Sequence, residues 1–127
     1  MIRIQDILDK VGASQTANDV ELVRKAYVYA AAAHQGQMRL SGEPYLSHPL
    51  AVADTLAEMR LDGASVAAGL LHDTVEDTKA TIDEIYESFG EEVADIVDGV
   101  TKISMLSFDS QEAQQAENIR NMILVMK

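Results

Sequence analysis

The sequence predicts an all-α domain, and three observations carry that expectation. Apolar residues recur at i, i+3, i+4 and i+7, as in Ile4, Ile7, Leu8 and Val11, the spacing that gathers them on one helix face. No stretch alternates apolar and polar residues with period two for long, and β-branched clusters are few. The chain contains only two prolines, Pro44 and Pro49, so little interrupts a helical pattern.

The elements follow in order. Ile4 to Val11 forms a short amphipathic helix, punctuated between Gly12 and Ala17. Asn18 and Glu21 have capping-box spacing, and the Ala-rich run from Val20 to His34 continues to a stop near Gly36. Residues 36–47, GQMRLSGEPYLS, form a loop with Gly36, Gly42 and Pro44 as breakers. Ser47 caps a helix from 48 to about 60, with Pro49 in its first turn. Asp62 caps the next, over 64–76, whose first ten residues (ASVAAGLLHD) are small or apolar enough for burial on nearly all sides. Thr81 and Glu84 form a capping box for a helix that Gly90 stops after Phe89. A helix over 91–103 and a last one from Asp109 onward bring the expected total to about seven.

With 127 residues, the chain is long enough for one domain with a single core. It has no cysteine, which excludes thiol catalysis, disulfides and thiolate metal sites. No apolar run approaches the roughly 20 residues that span a bilayer. The start, MIRIQDILDK, lacks the apolar core of a signal peptide, so a cytoplasmic protein without membrane contact is expected. Net charge is −11, and ten acidic side chains lie between Asp73 and Asp98 against the single base Lys79. That field repels phosphate backbones, and with only 5% aromatic residues there is no stacking platform, which argues against nucleic-acid binding.

The chemistry gathers at the end of the apolar helix. His72 and Glu76 are four residues apart, as are Asp73 and Asp77, so four ionisable groups crowd one place. Buried charge costs several kcal/mol per ion (roughly) unless it is paired or coordinated. A divalent cation at His72 and Asp73 resolves the conflict, leaving Glu76 and Asp77 to handle water or protons. Mixed imidazole and carboxylate ligands suit manganese, iron or zinc. The plain alternative is an exposed helix end, where four polar residues need no cation. His48, held beside Pro49, strengthens the metal reading; His34, ending an alanine-rich helix, is expected to be buried, hydrogen-bonded and structural.

Four segments carry a resemblance to a known family. AHQGQMRLSGEPYLSHP (33–49), LLHDTVEDT (70–78), FGEEVADIVDGVTKIS (89–104) and QAENIRNMI (115–123) resemble, in order, the HD hydrolase domain of the Rel/SpoT family. These enzymes make and degrade the alarmone ppGpp. The resemblance implies an HD-domain helical bundle in which His48, His72 and Asp73 hold Mn²⁺. It implies that Glu76 and Asp77 lie beside the attacking water as catalytic residues. It places Arg39 in the substrate cleft and Ser41 near the guanosine. The implied reaction is hydrolysis of ppGpp or pppGpp to GDP or GTP plus pyrophosphate.

One departure accompanies it. The family's fourth ligand, an Asp in an LADRLHN segment, has no counterpart within the 127 residues. Asp95 and Asp98 match by type but fall on a separate helix. The chain is therefore read as a single, partial HD-type domain over 1–127, missing its C-terminal helices. Apolar faces on helix 20–34 and at Ile119, Met122, Ile123 and Met126 are expected to drive homo-oligomerisation. The alternative to an impaired hydrolase is an inactive HD module that binds guanine nucleotide or a partner.

Overall fold

A computed structural model describes residues 2–35 and 46–104, with side chains described through residue 100. Seven helices and no strand occur among the described residues: α1 (Ile4–Ser14), α2 (Ala17–Ala33), α3 (Ser47–Glu58), α4 (Gly63–Leu71), α5 (Thr74–Asp77), α6 (Ile82–Phe89) and α7 (Glu91–Ser104). The all-α expectation holds. The helix expected from Asp109, together with Arg39 and Ser41, lies outside the described residues.

The bundle is built around α4. All nine of its residues are buried, as its small and apolar composition predicts. It packs on α2 and α3 along its sides and on α7 beyond, while α1 braces the outer edge of α2 and α3. Gly69 sets the distance to α3, because a Cβ there would stand 2.7 Å from Leu56 Cδ1. Val52, Leu56, Val66, Leu70 and Leu71 fill the junction with no exposed surface. Asp62 caps α4 by accepting from the Ser65 amide at 3.0 Å.

Three boundaries differ from the sequence expectation, each for a local reason. Helix α2 begins two residues earlier than the Asn18 cap implies. Thr16 Oγ1 accepts from the Asp19 amide and the Asp19 carboxylate accepts from the Thr16 amide, closing a complete capping box. Ser47 lies inside α3 instead of capping it, and Leu46 precedes it without a side-chain cap. The helix expected over 64–76 is broken at His72 and Asp73 into α4 and α5. The His72 ring donates from Nδ1 to the Gly69 carbonyl at 2.6 Å, the acceptor that the amide of residue 73 uses in a continuous helix.

At the far end, Thr81 caps α6 by accepting from the Glu84 amide. The Glu84 side chain takes the Tyr29 hydroxyl at 3.1 Å, tying α6 to α2. Lys25 adds to that seam by donating to the Ser88 carbonyl and standing 5.1 Å from the centre of the Phe89 ring. Gly90 turns the chain into α7 at φ 94°, a conformation glycine adopts without steric cost.

Candidate metal centre

Three elements deliver the site. The start of α3 carries His48, held beside Pro49, whose fixed φ stiffens the first turn. The end of α4 delivers His72, and the break that follows turns Asp73 back toward both imidazoles. His48 and His72 are 3% and 1% exposed, and their rings lie 5.2 Å apart at 60°. Asp73 Oδ1 is 3.2 Å from His72 Nε2, and Oδ2 is 3.5 Å from His48 Nε2. One ligand atom from each of the three residues falls within 4.8 Å of the others.

The donor set can be tested for a cation. Nδ1 of His72 donates to the Gly69 carbonyl, so Nε2 of a neutral ring carries a lone pair. That lone pair faces a carboxylate oxygen inside a buried pocket, and His72 Nε2 has no hydrogen-bond partner. Two acceptors held face to face repel unless positive charge lies between them. A metal-bound His whose other nitrogen is anchored to a backbone carbonyl has this arrangement. The C-terminal end of α4 points its carbonyl dipoles at the same place, which further favours a cation. The residues therefore fit a divalent metal ion bound by mixed nitrogen and oxygen ligands.

Glu76 and Asp77 stand at the rim on α5, and both are exposed. Asp73, Glu76 and Asp77 form a second group with ligand atoms within 4.8 Å. Partial desolvation of its carboxyl pushes the Glu76 pKa up; Asp73 and then Asp77 push it further, and His72 opposes them. A cation at the histidines would draw it back down. Among the described residues, neither Asp95 nor Asp98 joins either group.

The structure brings His48, His72 and Asp73 together and sets Glu76 and Asp77 at their edge. Arg39 and Ser41 fall outside the described residues. His34 is buried, as expected, and its Nε2 faces the Thr74 hydroxyl across 3.5 Å. Nothing in the sequence singles out Thr74, since a threonine between an acid and a valine carries no signal.

Comparison with known proteins gives the chain's family. The HD domain family matches residues 26–127. A GTP pyrophosphokinase of Myxococcus xanthus is 60% identical over 111 residues, which cover 85% of this chain and 15% of the relative. The bifunctional (p)ppGpp synthase/hydrolase SpoT of Escherichia coli (strain K12) is 49% identical over 109 residues, covering 86% of this chain and 16% of SpoT. A solved structure described as a metazoan ortholog of SpoT that hydrolyzes ppGpp superposes with a TM-score of 0.59. It is 28% identical, and the match covers 83% of this chain and 65% of that one. The chain spans about one-sixth of the length of these curated relatives. No helix among the described residues is long and apolar enough to cross a membrane. The chain belongs to the HD domain family, with Rel/SpoT proteins among its homologues.

Proposed function

We propose that residues 1–127 form part of a hydrolase domain that removes the 3′-pyrophosphate of ppGpp or pppGpp, leaving GDP or GTP. The observation that carries this reading is the convergence of His48, His72 and Asp73 directly beneath the exposed acids Glu76 and Asp77. Relatives named for ppGpp synthesis and hydrolysis support the choice of nucleotide.

In this reading His48, His72 and Asp73 hold Mn²⁺. The ion supplies positive charge that offsets the pyrophosphate and makes water a better nucleophile. The chain's own residues do the rest. The Gly69 carbonyl fixes which nitrogen of His72 faces inward. Glu76 and Asp77 orient water and accept its proton. Arg39 and Ser41, assigned from the family resemblance, contact the nucleotide. A free nucleotide as substrate is consistent with action in the cytoplasm.

Incubation with ppGpp and millimolar Mn²⁺, with His72→Ala as the blank, tests the reading. Pyrophosphate release that disappears in the variant is expected. A folded chain that releases none overturns it, in favour of an HD module that binds nucleotide without turning it over.

A further inference from the structure

His34 ends α2, and it is 3% exposed. Its amide donates to the Ala30 carbonyl at 3.0 Å, so the backbone there continues the helical pattern and fixes where the ring points. Nε2 faces Thr74 Oγ1 across 3.5 Å, a contact between residues 40 apart in sequence. Thr74 has no exposed surface. It is the first residue of α5, next to Asp73 and two before Glu76.

Helix α5 is four residues long, far too short to hold its own shape. Its internal bonds are few: Asp77 N–H to the Asp73 carbonyl at 2.9 Å, and Thr78 N–H and Oγ1–H to the Thr74 carbonyl at 3.1 and 2.6 Å. These close the turn but do not orient it. Orientation has to come from what the turn is anchored to, and its one fully buried residue is Thr74. Burying a hydroxyl and an imidazole costs free energy unless they are hydrogen-bonded, and each lies within reach of the other. A pair of apolar side chains would fill the same space without setting a direction.

We propose that His34 is a positioning residue, which acts through the Thr74 hydroxyl to hold the turn carrying Glu76 and Asp77 against the end of α2. The functional half of this inference rests on the hydrolase reading; the structural half does not. In this scheme His34 acts through the Thr74 hydroxyl. It determines where the two rim acids stand.

Thr74→Val tests it best, because it keeps the shape and removes only the hydroxyl; Thr74→Ser restores the hydroxyl, and His34→Gln removes the ring. In Thr74→Val, amide exchange at Asp77 and Thr78 is expected to accelerate about tenfold, the equivalent of one lost buried hydrogen bond. Exchange at Ile85 and Ala94 stays unchanged, and Thr74→Ser returns the Asp77 and Thr78 rates toward wild type. In ppGpp hydrolysis, kcat falls about tenfold, while KM and the Mn²⁺ concentration for half-maximal rate hold. Unaltered exchange in Thr74→Val overturns the proposal whether or not the chain turns over substrate. Altered exchange with kcat unchanged overturns the functional half. Altered exchange in Thr74→Val, together with a wild-type chain that hydrolyses nothing, upholds the anchor and defeats the hydrolase reading instead.

Discussion

Arg60 adopts φ 60° where α3 ends, the one non-glycine residue with positive φ among those described. Its amide donates to the Ala57 carbonyl at 3.0 Å and the Leu61 amide to the Leu56 carbonyl at 3.2 Å, which together make a Schellman cap. Glycine is the residue usually found at that position. An L side chain there costs roughly 1–2 kcal/mol, partly offset by the extra unfolded-state freedom that glycine brings. Arg60→Gly is therefore expected to stabilise the fold by about 0.5–1 kcal/mol, raising Tm by roughly 2–6 °C. Thermal denaturation followed by circular dichroism reads it, and a lowered Tm would show that the arginine side chain contributes more than its backbone costs. The candidate ligands were legible at this same scale, since the chain has only three histidines and one of them stands directly before Asp73. The Gly69 carbonyl that orients His72 was not, because every residue has a carbonyl and only the fold selects one.

Between elements, the outer brace is electrostatic where the centre is apolar. Lys10 on α1 reaches Asp54 and Glu58 on α3, each at 2.6 Å. Hydrogen bonding to Lys10, followed by its charge, holds the Glu58 carboxyl below its ordinary value of 4.5. A depressed carboxyl contributes stability above its unfolded pKa and loses it as pH falls through the folded one. The difference in Tm between wild type and Lys10→Met is thus expected to be steady from pH 7 to about 5 and to shrink below pH 4.5. A difference that persists at pH 3 would assign the effect to packing of the lysine stem. Helix positions were readable because caps and apolar spacing agree, as at Asp62, Thr81 and Gly90. They misled where two signals overlapped: Thr16 with Asp19 and Asn18 with Glu21 both have box spacing, and the structure uses the first. The break between α4 and α5 was hidden for a different reason, since a side chain took a backbone acceptor that no helix propensity describes.

Across the whole molecule, the described helices sort by chemistry. Central α4 carries no charge and is buried throughout, and its end brings His72 and Asp73 up to His48 of α3. The acidic flank runs from that point through α5, α6 and the start of α7, with Asp73, Glu76, Asp77, Asp83, Glu84, Glu87, Glu91 and Glu92 in succession. Fold class followed from composition and spacing because a buried helix and its amphipathic partners leave a periodic trace. The contact between His34 and Thr74 left none, because it joins residues 40 apart. If the substrate is the highly charged guanine nucleotide proposed above, the acidic flank opposes its approach. Encounter between like charges is slowed at low salt, and added electrolyte shortens the reach of the repulsion from about 30 Å at 0.01 M to about 8 Å at 0.15 M. With free Mn²⁺ held constant, kcat/KM for ppGpp should therefore climb as inert salt is added, the reverse of an enzyme that steers its substrate electrostatically. A decline would mean that the nucleotide enters by a locally positive path, and that the acids face away from it.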